Sequence, residues 1–242
     1  MKREIIIADN FYKDPDTVVR YAQSLKFYSP YAKNQRGSSD IKDMKEARWI
    51  SSIFKKAADC PFKSSPKLIE ALSEITGEEV DLVHWNKDFP ENSDGSLITP
   101  QPDHAERNSS CRWNTAFNVK YHTAPDGTGV HNHVTDVWNS VGEGGWAGII
   151  YLNKNAPRDA GLRTWTNQFG SPYEWMTDKG RWELLDSFAN VYNRLILVRG
   201  WMPHSGASGF GDSIQNGRLF QTLFFKTMNP KEIPSCMIDF PL

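Results

Sequence analysis

The stretch "YNRLILVRGWMPHSGASGFGDSIQNGRLFQTLFF", residues 192–225, decides the fold. An apolar run with strand character (Leu195, Ile196, Leu197, Val198) leads through Gly200 to His204. A Gly/Ser-rich loop follows, and a second apolar strand begins at Arg218 and runs to Phe225. Fourteen positions separate His204 from Arg218. Across a hairpin-like loop the two can converge on one site, the imidazole serving a metal and the guanidinium a carboxylate. Such a site needs an upstream partner. The segment "VHNHVTD", residues 130–136, supplies one, with His131, His133 and Asp136 within six positions.

Working outward, short strand-like runs separated by Gly, Pro, Asn and Asp fill the chain from residue 80 onward: Val80–Trp85, Trp113–Tyr121, Trp146–Leu152, Leu195–Val198 and Leu219–Lys226. Several such strands argue for an antiparallel sandwich or barrel. Before residue 80 the pattern differs. Residues 4–8 read as a short strand, and Asp14-Pro15 then opens a helix, with Asp as N-cap and Pro at the first helical position. Val18, Val19, Ala22 and Leu25 give that helix one apolar face. Ser65-Pro66 repeats the signal for a helix that carries Leu68, Ile69, Leu72 and Ile75 and stops at Gly77. Both helices are expected to pack on the outside of a sheet. Residues 28–48 and 90–110 are polar and turn-rich, and read as long loops, the second a possible lid. The expected fold class is mainly β with flanking helices, in one domain over 1–242: a helical part over 1–79 and a β core over 80–242.

Length and composition exclude several classes. The chain has 242 residues, ample for a buried core, and a formal net charge of −1. Nothing in that balance argues for nucleic acid or an anionic membrane surface. Three cysteines (Cys60, Cys111, Cys236) are an odd number without paired spacing, which fits reduced thiols. The apolar run Ile5–Ile7 is too short for a signal peptide, and no stretch reaches membrane-span length. The expectation is a cytoplasmic protein acting on a small-molecule or peptide substrate, with no membrane or nucleic-acid partner. Its oligomeric state is left open.

The ligand set follows from strand geometry and metal chemistry. A non-haem iron site needs nitrogen and oxygen donors on one face of the metal, commonly two His and one carboxylate. Residues two apart share a face of an extended strand, which favours His131 with His133. Ligand chemistry favours Asp136, although its three-residue offset from His133 requires a turn or bulge. The Gly142-Glu143-Gly144-Gly145 stretch argues that the strand ends before Asp136, where a turn returns the carboxylate to the metal. The expected site contains His133, Asp136 and His204, with His131 in place of Asp136 as the alternative. His84, His104 and His122 read as ordinary hydrogen-bonded histidines, and the nine tryptophans as packing residues.

Three segments carry a family resemblance. The opening "ADNFYKDPDTVVRYAQSLKF", the strand "WAGIIYLNKNAP" at 146–157, and "NRLILVRGWMPHSG" with "GRLFQTLFF" resemble the iron(II)/2-oxoglutarate-dependent oxygenases of the prolyl-hydroxylase-like group, notably members from phages and marine bacteria. The likeness is specific in the last hundred residues and looser over 28–110. It implies a double-stranded β-helix (jelly-roll, cupin-like barrel), with Fe(II) and 2-oxoglutarate as cofactors and a hydroxylase activity. By the same resemblance, His204 matches the distal iron ligand, and Arg218 the residue that pairs with the far carboxylate of 2-oxoglutarate. Tyr151 or Tyr121 would add a hydroxyl to that carboxylate. Two positions depart from the family pattern. His131-Asn132-His133 stands where members read His-x-Asp, and Gly161-Leu162-Arg163-Thr164-Trp165 stands for Gly-Thr-x-Phe/Trp. Two rival readings stay open: a three-His oxygenase that uses no 2-oxoglutarate, and a non-catalytic jelly-roll module that binds through its tryptophans.

Overall fold

Eight consecutive buried residues, Arg218–Phe225, form the central strand of the molecule. Aromatic and branched side chains suit a pleated surface covered on both faces. The computed structural model describes residues 4–25, 27–28, 48–51, 60–86, 114–122, 129–134, 140–166 and 182–230. Within these the strands are β1 (Ile5–Ala8), β2 (Phe27–Tyr28), β3 (Arg48–Ser51), β4 (Glu78–Val80), β5 (Phe117–Lys120), β6 (Trp146–Tyr151), β7 (Leu162–Thr166), β8 (Glu183–Ser187), β9 (Leu195–Arg199), β10 (His204–Gly206), β11 (Arg218–Phe225) and β12 (Thr227–Pro230). The helices are α1 (Pro15–Ser24), α2 (Pro66–Thr76) and α3 (Leu82–Trp85).

A seven-stranded sheet runs β1-β9-β6-β11-β5-β3-β2, a three-stranded sheet β10-β7-β8, and a two-stranded ribbon β12-β4. All the pairings are antiparallel. An isolated bridge between His131 and His204 lays the histidine segment along β10.

The period-two alternation of β11 sorts its side chains between two cores. Leu219, Leu223 and Phe225 join Val119, Ile150, Leu195 and Leu197 on one face. Ala22 of α1 with Leu68 and Leu72 of α2 covers that face. Burying each such leucine contributes roughly 1.5–3 kcal/mol, so the apolar faces hold the helices to the sheet. Phe220 and Phe224 point the other way and pack with Ala147, Ile149, Tyr151, Ile196, Val198 and Leu162 of β7. This inner core joins the large sheet to the three-stranded one.

Both long helices start and stop where their caps require. The Asp14 side chain accepts from the Thr17 N–H, the Ser65 hydroxyl accepts from the Leu68 N–H, and Gly77 ends α2 at φ 69°. The stretch Val80–Trp85, read as a strand, is divided. The Asp81 carboxylate captures the Val83 and His84 N–H groups and starts the short helix α3. The run Trp113–Tyr121 yields only the four-residue β5, because Thr115 sits at φ 65° and breaks the extension before it. The N-terminal part is also more than helical, since β1 pairs with β9, β3 with β5 and β4 with β12. Residues 29–47 and 90–110 lie outside the described residues. No helix among the described residues is long and apolar enough to cross a membrane.

Candidate metal centre

His204 opens β10 opposite Thr164 of β7, and its backbone exchanges both hydrogen bonds with His131 (3.0 and 2.8 Å). His133 lies where the chain bends away. Its N–H donates to Gly200 O (2.7 Å) and its carbonyl accepts from Val141 N–H (2.9 Å). The three imidazoles therefore meet from two segments 71 residues apart in sequence. Their ring centroids are 4.7–5.0 Å apart, and one ligand atom from each falls within 4.8 Å of the others. His133 and His204 are buried, and His131 is half-buried.

The hydrogen bonds around two of the rings decide their tautomers. His131 Nδ1 lies 2.8 Å from Gly129 O, and His204 Nδ1 2.9 Å from Met202 O. A carbonyl only accepts, so each Nδ1 carries the proton and each Nε2 presents its lone pair. Anchoring the far ring nitrogen on a carbonyl is the usual outer support of a metal-binding histidine. His133 Nε2 and His204 Nε2 stand 3.2 Å apart. Two nitrogens bound to one ion at about 2.1 Å, roughly 90–110° apart, would be separated by about 3.0–3.4 Å. Burial first, then the neighbouring His133, pushes the His204 pKa down to about 3, against the Met202 hydrogen bond. The imidazole is thus neutral, as a ligand must be. Phe224 flanks His133 at 4.8 Å between ring centroids and closes one side of the cluster.

Arg218 shares the inner face of β11 with Phe220 and Phe224 and is 1% exposed. Its Nε donates to Ala160 O (2.8 Å) and its Nη2 to Gly161 O (3.4 Å), which aims the fork. The guanidinium lies beside Phe220 (4.9 Å) and Tyr151 (5.8 Å to the ring centroids). A Cβ placed on Gly206 would stand 3.3 Å from Arg218 Nη1. Gly206 is two positions from His204 on β10, so it shares that strand's face, about 6.6 Å along. The imidazole cluster and the guanidinium thus sit at neighbouring stations on one surface.

Two buried hydroxyls face the same space. Thr164, 0% exposed and paired with His204, has an Oγ1 with no hydrogen-bond partner, and so has the Tyr151 hydroxyl. Orphaned buried hydroxyls cost about 1–3 kcal/mol each unless a ligand satisfies them. Burial raises the Tyr151 pKa to about 12, with Arg218 and the Leu162 backbone opposing the rise. The phenol therefore stays a neutral donor.

Tyr121 does not belong to this surface. It packs with Leu219 and Ile214 on the helix-covered side of the large sheet, because odd-numbered β5 positions face outward and Tyr121 continues that parity. Burial and Asp212 raise its pKa. Of the two tyrosines expected beside a co-substrate, Tyr151 packs on the inner face and Tyr121 on the helix-covered one. Lys120, by contrast, stands directly across from Arg218 on the inner face and is buried, bringing a second cation to this end. Neither Lys120 nor Thr164 carries a sequence signal, since a lone Lys or Thr in a strand becomes meaningful only through register. Asp136 lies outside the described residues. His122 Nδ1 meets Gly211 O and His84 Nε2 meets Ser140 O, both ordinary backbone contacts, and His104 is outside the described residues.

Gly161 fixes the Arg218 end. A Cβ there would fall on the Phe188 carbonyl, while Ala207 N–H donates to Gly161 O at 2.8 Å. Gly161→Ala is expected to destabilise the protein by about 1–3 kcal/mol through overpacking against backbone. Urea denaturation checks this; a midpoint equal to wild type would show that the β7 entry is slack.

No protein-family model matches the chain, and no curated protein matches it. Among solved structures it is similar to YcfD, a ribosomal oxygenase from Escherichia coli (12% identity, 94% of this chain and 49% of that one, TM-score 0.38). It is also similar to a Pseudomonas putida prolyl-4-hydroxylase (15% identity, 93% and 94%, TM-score 0.40). A third likeness is to a prolyl hydroxylase from Trichoplax adhaerens in complex with a hypoxia inducible factor oxygen degradation domain peptide fragment (16% identity, 96% and 87%, TM-score 0.40). The chain spans about half the length of the E. coli protein. With identities of 12–16% and TM-scores of 0.38–0.40, these are distant likenesses.

Proposed function

We propose that the chain is an iron(II)- and 2-oxoglutarate-dependent oxygenase, a hydroxylase, built on a double-stranded β-helix. One observation carries the reading. Three imidazoles converge, two of them with their Nδ1 protons held by carbonyls, one strand step from a buried, aimed guanidinium. Three nitrogen donors suit a borderline divalent transition ion such as iron(II). When bound, iron with 2-oxoglutarate supplies the oxidising chemistry.

The chain's own residues do the rest. His131, His133 and His204 hold the metal, and Arg218 offers parallel N–H donors to the far carboxylate of the co-substrate. The Tyr151 and Thr164 hydroxyls, buried without partners, would donate to its oxygens. Phe220 and Phe224 line the inner face and exclude water around them. A second reading, a three-His metal oxygenase that uses no 2-oxoglutarate, is favoured by the donor set itself, which holds no carboxylate among the described residues.

Elemental analysis of purified protein, combined with succinate release from 2-oxoglutarate, tests these readings. Bound iron with succinate release supports the first, bound iron without it the second, and no metal the non-catalytic binding module. His131→Ala is expected to lose metal, on the order of 100-fold or more in affinity, while Asp136→Ala keeps full occupancy. The reverse outcome would make Asp136 the ligand and His131 its neighbour.

A further inference from the structure

We infer that the buried Glu78–Arg199 pair is a positioning device for His133, resting on the reading of the histidine cluster as a metal centre. Arg199 ends β9 on the helix side of the sheet, 5% exposed, and Glu78 begins β4, 6% exposed. The guanidinium forks onto both carboxylate oxygens, lies 3.8 Å over the Trp146 ring, and donates to Gly144 O (2.7 Å). Glu78 also accepts from Trp146 Nε1 (3.0 Å) and Thr227 Oγ1 (2.6 Å). Burial works to raise the Glu78 pKa, but its bonds from Arg199, Thr227 and Trp146 together hold it below the usual range.

The next residue transmits that anchorage to the centre. Gly200 O accepts the His133 N–H at 2.7 Å, and Gly200 N–H donates to Gly145 O at 2.9 Å. A Cβ on Gly200 would fall on Gly142 O and meet Val141 Cγ2 at 2.7 Å, so the two chain segments touch with no slack. Val141 N–H in turn holds His133 O. Arg199 therefore grips the 142–145 turn through its side chain, and Gly200 grips His133 through its backbone. A shift of β9 against β4 moves both together. A buried ion pair adds little net stability over an apolar pair of the same shape. Its forked geometry fixes position, which a set of apolar contacts does less sharply.

The test is Co2+ titration of the full-length protein, read by visible d–d absorption, for wild type, Glu78→Gln, Thr227→Val and Leu72→Ala. Leu72→Ala loosens the same helix-side core while removing none of the side-chain bonds to Glu78 or Arg199. Glu78→Gln is expected to weaken Co2+ binding about tenfold and to alter the d–d band, at the low end for residues that orient metal ligands. Thr227→Val, which removes one bond to Glu78, should act in the same direction by less, and reads the proposal if Glu78→Gln does not fold. Leu72→Ala should lower the melting temperature and leave both affinity and spectrum unchanged. Wild-type affinity and spectrum in a folded Glu78→Gln or Thr227→Val protein would overturn the proposal, as would an equal loss in Leu72→Ala. Wild type that binds no Co2+ would instead sink the metal-centre reading, and the proposal with it.

Discussion

His204→Ala is expected to abolish metal binding while leaving the protein folded. The residue sits at the meeting point of the site: its backbone pairs with His131, its Nε2 lies 3.2 Å from His133 Nε2, and its Nδ1 is tied to Met202 O. Removing an outer partner of a metal ligand costs about 10–100-fold in affinity, so removing the ligand itself should cost on the order of 100-fold or more. The backbone ladder to His131 and the Trp165–Pro203 bond do not depend on the side chain, so β10 should persist. His122→Ala is the control, since that exposed ring meets Gly211 O and is not one of the three clustered imidazoles. Isothermal titration with Fe2+ under anaerobic conditions, alongside circular dichroism, reads both. A folded His204→Ala protein with wild-type affinity would refute the metal centre.

Which parts of this arrangement were legible from the sequence follows from where the physical signal lies. The caps at Asp14 and Ser65, the αL stop at Gly77 and the apolar runs of β9 and β11 are local, and local chemistry suffices to read them. The convergence of His204 with the His131 segment was legible because a short strand before a loop, with an Arg opening the next strand, is a readable pattern. What escaped depends on long-range register. β10 is three residues of no particular propensity, made a strand by pairing with β7. Tyr121 and Tyr151 each lie near the end of a strand-like run and look equivalent in sequence. The register of β5 and β6 against β11 sends one to the helix side and the other to the inner face. Thr164 is invisible until its hydroxyl is found buried opposite His204. The Val80–Trp85 run failed for a different reason: one side chain, Asp81, competes for backbone donors and turns a strand-like composition into a helix.

Arg218→Lys should weaken 2-oxoglutarate binding by about 10–150-fold, the 1.5–3 kcal/mol typical of a charge-assisted hydrogen bond, with metal affinity left near wild type. The substitution keeps a positive charge but replaces a rigid fork by a point charge on a flexible stem. In the native protein Nε donates to Ala160 O and Nη2 to Gly161 O, and Nη1 lies 3.3 Å from where a Cβ on Gly206 would stand. Lysine has three donors on one atom, so it cannot hold those carbonyls and grip a carboxylate with the same geometry. The metal ligands lie on other strands, so iron content should not follow the loss. That separation distinguishes a co-substrate residue from a structural cation, whose replacement would lower stability and metal binding together. Titration of the metal-loaded variant with 2-oxoglutarate gives the affinity directly, and thermal unfolding gives the stability. Unchanged co-substrate affinity in a folded Arg218→Lys protein would assign the guanidinium to the fold alone. It would leave the three histidines to a metal chemistry that needs no 2-oxoglutarate.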